Sequence, residues 1–258
     1  MDYKAIMLDV DGTLIPYDYE ALPSKRVVEA IKKAKELVAV CVVTGRSYRE
    51  TKRILDSIGI NTGYAVADGG AYVIDIKTDK IIYKQYITKS DLKKIIKVFE
   101  EEKVDFFVKD SESFKRAHNY YEPYKKGQEL EKVTMIFTDE LYALEKTHEI
   151  MRKLSSPTLT IHRSKHKDPN FFGFNATHIN ATKLHGIVKI SELLHLEKKE
   201  IIGVGDGYND YPLLMASGLK VAMGNAVKDL KAIADYVAPS VTDDGVAVTI
   251  EKYILNSK

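Results

Sequence analysis

The sequence predicts an α/β protein in which a parallel sheet carries helices on both faces and an α+β unit is inserted into the middle of the chain. Two observations support this fold class. At both ends of the chain, short and nearly continuous apolar segments alternate with amphipathic helical segments. The middle instead mixes helices with strand-like segments and holds much of the aromatic content. We therefore expect a core formed by residues 1–82 and 180–258, with the inserted unit over residues 83–179.

The N-terminal part alternates predicted strands and helices. Ser24 and Ser47 precede two amphipathic segments, where a side-chain oxygen can cap a helix. The apolar runs around them lack polar alternation, which is typical of strands that are buried on both faces. In order, the predicted elements are the strand KAIMLDV, the helix SKRVVEAIKKAKEL, the strand LVAVCVV, the helix SYRETKRILDSIGI and the apolar segment GYAVADGGAYVI.

The C-terminal part resumes this alternation at a helix that begins at Asn180 or Thr182. From there the predicted elements are the helix TKLHGIVKISELLHL, the strand EIIGVGD, the helix DYPLLMAS, the strand GLKVAMG, the helix KDLKAIA, the strand ADYVAPS and the helix GVAVTIEKYIL. The middle has two amphipathic helices, SDLKKIIKVFEEEK and DELYALEKTHEIMRKL, among the strand-like segments VDFFVK, VTMIFT, TLTIHR and FFGFNATHI. Both ends of the chain therefore contribute to one α/β domain.

The composition is that of an ordinary globular protein. Hydrophobic residues make up 45% of the 258 residues and charged residues 29%, and 39 basic against 37 acidic residues leave a net charge of +2. So small a charge does not favour a nucleic-acid partner. The single cysteine, Cys41, lies in an apolar run, which indicates a buried structural thiol and excludes an intrachain disulfide. With no membrane-length apolar stretch and no signal-peptide pattern, we expect a cytoplasmic protein without a membrane partner.

Polar motifs follow the predicted strands at positions where α/β sheets bind their ligands. Taken singly, each has an ordinary explanation as an acidic turn, a strand end before a capped helix or a solvated lysine. The last motif fits neither a dinucleotide fingerprint nor an EF-hand loop. The motifs are Asp9-Val10-Asp11-Gly12-Thr13, Thr44-Gly45-Arg46, Lys183 and Gly205-Asp206-Gly207-Tyr208-Asn209-Asp210.

Taken together, the motifs predict phosphoryl transfer at a metal site. If the first strand runs through Val10, Asp9 and Asp11 share one of its faces. Asp206 and Asp210 add two more acids, and the repulsion among these carboxylates predicts a bound cation. Mg²⁺ suits a few carboxylates together with substrate phosphate. A carboxylate beside it stays ionised and can attack phosphorus, giving an aspartyl-phosphate. A threonine and a lysine can donate to the phosphoryl oxygens, and a second acid can protonate the leaving alkoxide and later activate water.

The motifs DVDGTL, VTGR, Lys183 and GDGYND, in this order, resemble the four motifs of the haloacid dehalogenase-like hydrolase superfamily. The stretches GDGYNDYPLLMASGLKVAMGNA and ADYVAPSVTDDGVA resemble more narrowly the Cof-type sugar-phosphatase branch. The resemblance is close in sequence at both ends of the chain. In the middle it extends only to the length of the inserted unit and its position between the motifs. It implies a Rossmann-like core with a large α+β cap between the second and third motifs, and an Mg²⁺-dependent phosphatase acting on small phosphorylated metabolites.

Carried over residue by residue, the resemblance implies roles for the motif residues. Asp9 would be the nucleophile and Asp11 the general acid/base. The phosphoryl group would be bound by Thr44, Gly45, Lys183 and Asn209. The metal would be held by Asp9, the main-chain carbonyl of Asp11, Asp206 and Asp210, the last directly or through water. Asn225 would support the rim of the site.

The chain departs from the family pattern at two places. Asp68-Gly69-Gly70 stands where many relatives have Asn-Gly, and this change can alter a polar contact at the cap hinge or at the substrate rim. Lys183-Leu184 stands where many have Lys-Gly, which affects helix packing rather than chemistry. Within the cap, the basic residues expected to contact substrate are Lys115, Arg116, His162 and Arg163.

Other functions remain open from the sequence alone. A phosphomutase shares the nucleophile and acid/base pair and would release an isomerised phosphosugar instead of phosphate. A non-catalytic receiver or phosphosugar-binding regulator also combines acids, Thr and Lys around Mg²⁺, although Asp11 is needed for leaving-group protonation rather than for binding. The substrate and the oligomeric state cannot be read from the chain.

Overall fold

A computed structural model describes residues 3–104, 106–110, 132–138, 142–164 and 171–256. Within these ranges the strands are β1 Ala5–Leu8, β2 Ala39–Val42, β3 Tyr64–Ala67, β4 Tyr72–Asp75, β5 Lys80–Lys84, β6 Phe107–Asp110, β7 Val133–Phe137, β8 Tyr142–Ala143, β9 Leu159–Ser164, β10 Phe171–His178, β11 Ile201–Gly205, β12 Leu219–Ala222 and β13 Tyr236–Val237. The α-helices are α1 Lys25–Ala34, α2 Tyr48–Ile58, α3 Lys89–Glu102, α4 Leu144–Leu154, α5 Lys183–Leu194, α6 Tyr211–Met215, α7 Lys228–Ala232 and α8 Gly245–Ile250. None of the helices in the described ranges has the length and apolar character to cross a membrane.

The two ends of the chain form one parallel sheet with strand order β13-β12-β11-β1-β2. The strand β1 lies between β11 and β2, and all four of its side chains are buried. Helix α1 packs against α2 and α8, and α5 packs against α6, so helices flank the sheet. Their buried stripes join the strands in one hydrophobic cluster. The predicted α/β core with a helix-covered parallel sheet is confirmed.

Helix starts and the buried thiol follow the sequence pattern. The Ser24 hydroxyl accepts a hydrogen bond from the Val27 amide at the start of α1 (3.2 Å). Thr182, rather than Asn180, immediately precedes α5. Cys41 is buried in β2, and burial raises the pKa of its thiol to about 12, as expected for a structural cysteine.

The third apolar segment differs from the expectation of a further parallel strand. β3 pairs with the parallel sheet at an isolated parallel bridge between Val43 and Val66, and it then pairs antiparallel with β4, which pairs antiparallel with β5. The reversal occurs in a 3-10 turn at Asp68–Gly70, where Gly69 has φ +70° and Gly70 φ +119°. Glycine adopts such φ values readily. Two adjacent glycines therefore reverse the chain within the single apolar segment of the sequence.

The middle of the chain forms a second, antiparallel sheet, which we call the cap sheet. Its order is β6-β7-β10-β8, and β9 also pairs with β10. Helices α3 and α4 pack together beside it, and the buried rings of Phe99 and Phe174 lie at the centre of its own hydrophobic cluster (ring centroids 5.5 Å apart). This antiparallel α+β unit confirms the predicted fold class. The domain bounds stay predictions, and the expected boundary at residues 82–83 falls inside β5.

Candidate active site

The four polar motifs meet at one edge of the parallel sheet. Asp9 directly follows β1, Thr44 comes soon after β2, and Asp206 directly follows β11. Lys183 is the first residue of α5 and enters the same place from the cap side of the chain. Because parallel strands end at a common edge, residues far apart in sequence are brought together there.

The centre of the site is an ammonium group held between two carboxylates. The Nζ atom of Lys183 lies 2.6 Å from Oδ1 of Asp9 and 2.5 Å from Oδ1 of Asp210. The lysine side chain is only 1% exposed, and both acids are buried as well. Charge-assisted hydrogen bonds of this kind are strong in a buried setting, so the lysine fixes the relative positions of the two acids.

Burial and mutual charge shift the pKa values of this cluster. Burial, reinforced by the neighbouring Asp210 carboxylate, raises the pKa of Asp9 well above its ordinary value, although Lys183 opposes the shift. Burial alone would lower the pKa of Lys183, but the negative charges of Asp210 and Asp9 have the larger effect and raise the pKa of the lysine above its ordinary value. The lysine is therefore charged at neutral pH.

Asp210 is fully committed to partners within the protein. Its Oδ2 atom accepts hydrogen bonds from the backbone amides of Asp206 (2.9 Å) and Gly207 (2.8 Å), while Oδ1 accepts from Lys183. The residue lies in a short 3-10 turn over Tyr208–Asp210. Its contacts shape the loop that carries Asp206 and orient the lysine at the same time.

Asp206 faces the chain segment that follows the first motif. Its carboxylate accepts hydrogen bonds from the hydroxyl of Tyr17 (3.0 and 3.2 Å) and from Nδ2 of Asn225 (3.2 Å). The same Asn225 amide donates to the carbonyl of Gly12 at 2.8 Å, which ties the first and fourth motifs together. Gly12 has φ +82°, and a Cβ atom there would collide with the Asp206 carboxylate. The glycine is thus required by both the turn and the close approach.

The side chain of Asp11 turns away from the other acids. The guanidinium of Arg46 donates to it from Nε (3.0 Å to Oδ2) and from Nη2 (2.6 Å to Oδ1). Arg46 is 6% exposed, and its guanidinium also lies over the ring of Tyr19, 4.6 Å from the centroid. The charge of the Asp11 carboxylate is therefore neutralised by Arg46, whereas Asp9 and Asp210 share the ammonium of Lys183.

The remaining predicted phosphoryl-binding residues surround this cluster. Thr44 is fully buried, and its hydroxyl accepts a hydrogen bond from the Arg46 amide (3.1 Å). At Gly45 a Cβ atom would meet nothing within 4 Å, so this stretch of backbone borders open space. Asn209 and Gly45 both line the cavity described below. Gly45 and Asn209 therefore border the same space as Asp9 and Asp11.

The structure brings a subset of the predicted metal ligands together. Oxygen atoms of Asp9, Asp206 and Asp210 all lie within 4.8 Å of one another, and this is the one such group found in the described parts of the chain. Three carboxylates against the single charge of Lys183 leave an excess of negative charge, and hard carboxylate oxygens are the ligands that Mg²⁺ prefers. The donor set therefore fits a divalent cation. The carboxylate of Asp11 is not part of it.

A cavity of about 670 Å³ lies between this cluster and the cap sheet. Of the predicted cap contacts, His162 and Arg163 line it, and Arg163 also lies over the ring of Tyr208, 4.6 Å from its centroid. Lys115 and Arg116 lie outside the described residues. Burial, with the positive charge of Lys183 nearby, lowers the pKa of His162 to about 4, so this imidazole is neutral at physiological pH.

Two cap residues bind directly to the core beside the second motif. Nζ of Lys109 donates to the carbonyl of Gly45 at 2.8 Å and lies 3.7 Å from Oδ1 of Asp68. The hydroxyl of Thr134 donates to Oδ2 of Asp68 at 2.8 Å. Asp68, the residue at the departure from the family pattern, is thus a buried acid that joins the cap sheet to the core.

Some of these residues were not assigned a role from the sequence. Arg46 stands in the quoted motif Thr44-Gly45-Arg46, and its charge two residues after a strand-end threonine was a usable signal. Tyr17 and Lys109 carried no such signal, because an isolated tyrosine or lysine is typical of a surface. Only the tertiary structure shows that they contact the site.

Comparison with known proteins gives consistent matches over the whole chain. A family model described as haloacid dehalogenase-like hydrolase matches residues 6–250. The 5-amino-6-(5-phospho-D-ribitylamino)uracil phosphatase YcsE of Bacillus subtilis is 25% identical, covering 99% of this chain and 97% of its own. Phosphoglycolate phosphatase 1 of Saccharolobus solfataricus is 25% identical, covering 97% of this chain and 96% of its own. The solved structure of the subclass IIB sugar phosphatase BT4131 superposes with a TM-score of 0.78 at 23% identity, covering 97% of this chain and 98% of its own.

Proposed function

The chain belongs to the haloacid dehalogenase-like hydrolase family and is an enzyme of the phosphatase class, and from this premise we propose that it is an Mg²⁺-dependent phosphatase of small phosphorylated metabolites. The reaction would pass through an aspartyl-phosphate on Asp9. The observation that carries the proposal is the buried contact of Lys183 with both Asp9 and Asp210 beside Asp206. Such a cluster joins a nucleophilic carboxylate, a fixed positive charge and a set of hard oxygen ligands in one place.

The metal would be held by Asp9 and Asp206, with the main-chain carbonyl of Asp11 as a further ligand. When bound, Mg²⁺ would neutralise the carboxylates and the phosphoryl oxygens, which favours attack by one anion on another. Because Asp210 is ion-paired with Lys183 and also accepts hydrogen bonds from two backbone amides, we assign this residue an indirect role. It would orient Lys183 and the backbone that presents Asp206.

The chemical steps are assigned to the two acids of the first motif. A carboxylate oxygen of Asp9 forms a bond to phosphorus while the bond to the leaving oxygen breaks, and Asp11, once it has left the ion pair with Arg46 and taken up a proton, gives that proton to the leaving oxygen. Asp11 then takes a proton from a water molecule, which attacks phosphorus and releases phosphate and the free Asp9 carboxylate. Arg46 would hold Asp11 in place between these steps.

Binding of the phosphoryl group is assigned to residues around the cluster. Lys183 supplies positive charge, and Thr44, the Gly45 backbone and Asn209 supply hydrogen-bond donors for the phosphoryl oxygens. Gly45 and Asn209 border the cavity and Thr44 is buried beside them, which supports this assignment.

The proposal is tested by measuring phosphate release from p-nitrophenyl phosphate. We expect activity with Mg²⁺, loss of activity with a chelator, and recovery when Mg²⁺ is added back. Asp9→Asn is expected to abolish turnover, whereas Asp79→Asn, the same change at an exposed ion pair with Lys52, serves as the matched control. Turnover by Asp9→Asn at the wild-type rate would overturn the role of the nucleophile. Full activity in chelator would overturn the role of the metal.

The substrate remains a proposal at the level of its class. The named relatives act on a ribitylamino-uracil phosphate and on phosphoglycolate, and one structural neighbour is a sugar phosphatase, so their substrates differ widely. Free phosphate as the product supports a phosphatase, and an isomerised phosphosugar would favour a phosphomutase instead. The cytoplasmic location and the absence of nucleic-acid partners stay predictions.

A further inference from the structure

We propose that four side chains of the cap sheet, Phe107, Phe137, Asn175 and His162, form the surface that selects the leaving group of the substrate. The substrate they fit is a phosphate monoester whose leaving group carries both hydroxyl or amide groups and a planar ring. This inference rests on the proposed phosphatase function and specifies the substrate of that same site.

The four residues form one row across the cap sheet. Strand pairing places Phe107 opposite Phe137, Phe137 opposite Asn175, and Asn175 opposite His162. Residues directly opposite one another in neighbouring strands have their side chains on the same face. All four line the cavity, which confirms that this face looks toward the acid cluster. We call these four residues the inner row.

The neighbouring positions show that the two faces of the sheet differ. Val108 and Ile136, which alternate with members of the inner row, are buried in the hydrophobic cluster of the cap. The inner row is therefore not needed to build the cap core, and its composition is free to serve the cavity.

The polar end of the inner row lies next to the reaction centre. Strand β9, which carries His162, contacts the turn that holds Asp210, and His162 lines the same cavity as Asp9 and Asp11. A neutral imidazole can both donate and accept a hydrogen bond, and so can the amide of Asn175. These are the groups needed to bind hydroxyl or amide groups of a leaving group close to the phosphate.

The opposite end of the inner row is aromatic. The rings of Phe107 and Phe137 are stacked, with centroids 5.4 Å apart and planes 20° apart, and both are only partly buried. Met135 lines the same part of the cavity. A partly exposed stack of two rings that lines a cavity is a surface on which a third planar ring gains contact area and stacking.

The charges of the cavity favour a neutral leaving group. Among the described lining residues, Arg46 is paired with Asp11, Lys109 lies beside Asp68 and donates to a backbone carbonyl, and Arg163 lies over a tyrosine ring. Each of these three positive side chains thus already interacts with another group of the protein, and we expect none of them to select a second anion on the substrate. The cavity of about 670 Å³ is in the size range of sites for ligands much larger than a phosphate group.

The test compares two phosphate esters that differ at C1 of the ribose, which carries a planar base in one and a hydroxyl in the other. Uridine 5′-monophosphate and ribose 5-phosphate present the same phosphorylated carbon and sugar, with and without a planar base. We expect kcat/KM to be about tenfold higher for the nucleotide, the ratio that one stacked ring provides. Fructose 1,6-bisphosphate, compared with fructose 6-phosphate, tests for selection of a second anion, and we expect no preference for the bisphosphate.

Substitutions in the inner row separate its two ends. Phe137→Leu is expected to lower kcat/KM for the nucleotide about tenfold and for ribose 5-phosphate less than about twofold. Asn175→Ala is expected to raise KM for both esters. Phe106→Leu makes the same change at a ring that packs on Phe99 in the cap core, and is expected to affect both esters equally. Thermal unfolding of each variant checks that the fold is kept.

The outcomes distinguish this inference from the proposed function. Hydrolysis of p-nitrophenyl phosphate with no advantage of the nucleotide over ribose 5-phosphate overturns the inference and leaves the phosphatase function intact. Equal losses on both esters in Phe137→Leu, or a clear preference for the bisphosphate, also overturn it. Absence of phosphate release from every ester, including p-nitrophenyl phosphate, refutes the proposed function itself.

Discussion

Asp210 is the residue whose removal tests the architecture of the site most directly. One oxygen of its carboxylate accepts hydrogen bonds from two backbone amides, and the other oxygen accepts one from the Lys183 ammonium. The residue is fully buried. The Asn side chain of Asp210→Asn has an acceptor oxygen in place of only one of these two carboxylate oxygens, because the other is replaced by an NH₂ group. An amide that accepts from the backbone turns its NH₂ group toward the ammonium, and an amide turned the other way presents NH₂ to two N–H groups.

The magnitude follows from what the substitution leaves behind. Removing one partner of a buried ion pair typically costs about 3–5 kcal/mol, because the other charge stays buried without compensation. Lys183 retains Asp9 at 2.6 Å, which offsets part of that loss. We therefore expect the free energy of unfolding to fall by about 3 kcal/mol, at the lower end of this range.

The assay is urea unfolding at pH 7 in the presence of a chelator, so that metal binding does not contribute. The matched control is Asp79→Asn, which removes an exposed pair with Lys52 (2.8 Å) and is expected to cost less than about 1 kcal/mol. A loss of less than about 1 kcal/mol in Asp210→Asn would refute the argument that this acid holds the site together. It would mean that the lysine and the loop find other partners.

Three further changes follow from the same geometry. The pKa of His162 is about 4 in the folded protein and about 6.5 in the unfolded chain, so the unfolded chain binds more protons between these pH values. The stability that the neutral imidazole contributes is therefore present above pH 6.5 and is lost as the pH falls. In urea unfolding, the free energy of unfolding should fall by about 2 kcal/mol less between pH 7 and pH 5 in His162→Gln than in the wild type. Gly12→Ala should lower both Tm and turnover, because φ +82° disfavours a side chain and its Cβ would strike Asp206. Arg46→Met should slow ribose 5-phosphate hydrolysis about tenfold more than p-nitrophenyl phosphate hydrolysis, because a nitrophenolate leaves without the proton that Asp11 supplies.

Each of these expectations has a result that contradicts it. An unchanged pH dependence in His162→Gln would mean that the imidazole is solvated in the folded protein. Wild-type Tm in Gly12→Ala would show that the Asp206 loop can move aside. Equal slowing of both esters in Arg46→Met would indicate that the arginine acts on the phosphoryl group rather than on Asp11, and Arg46→Lys, which keeps the charge, is the comparison variant.

The centre of the site is the part that the sequence predicts well. Asp9, Thr44 and Asp206 each end or follow a strand of one parallel sheet, and the ends of such strands share an edge, so their proximity follows from local patterns alone. The convergence of Lys183 on the same edge needs only the start of a helix that follows the inserted unit. Periodicity and strand ends carry this information, and no side-chain packing has to be known.

The contacts of the inserted unit could not be predicted in this way. That Lys109 reaches the carbonyl of Gly45 depends on how the cap sheet lies against the core, which neither segment encodes locally. The pairing of Asp11 with Arg46, 35 positions apart, depends likewise on side-chain packing. The antiparallel turn at Asp68–Gly70 was missed because an apolar segment has the same pattern in parallel and antiparallel strands that are both buried.

The contacts around Asp68 connect the cap sheet with the second motif of the core. The Asp68 amide donates to the carbonyl of Arg46 (2.9 Å), and its carboxylate accepts from Thr134 on β7. Lys109, one strand away and on the same face as the inner row, bridges Gly45 and Asp68. Movement of the cap sheet away from the core would take this ammonium from beside a buried carboxylate, at a cost of several kcal/mol unless water replaces it. A cap sheet displaced from the core would therefore leave the Asp68 carboxylate to be hydrated, and its return would restore the contact of Lys109 with the carbonyl of Gly45, whose backbone is proposed to bind the phosphoryl group.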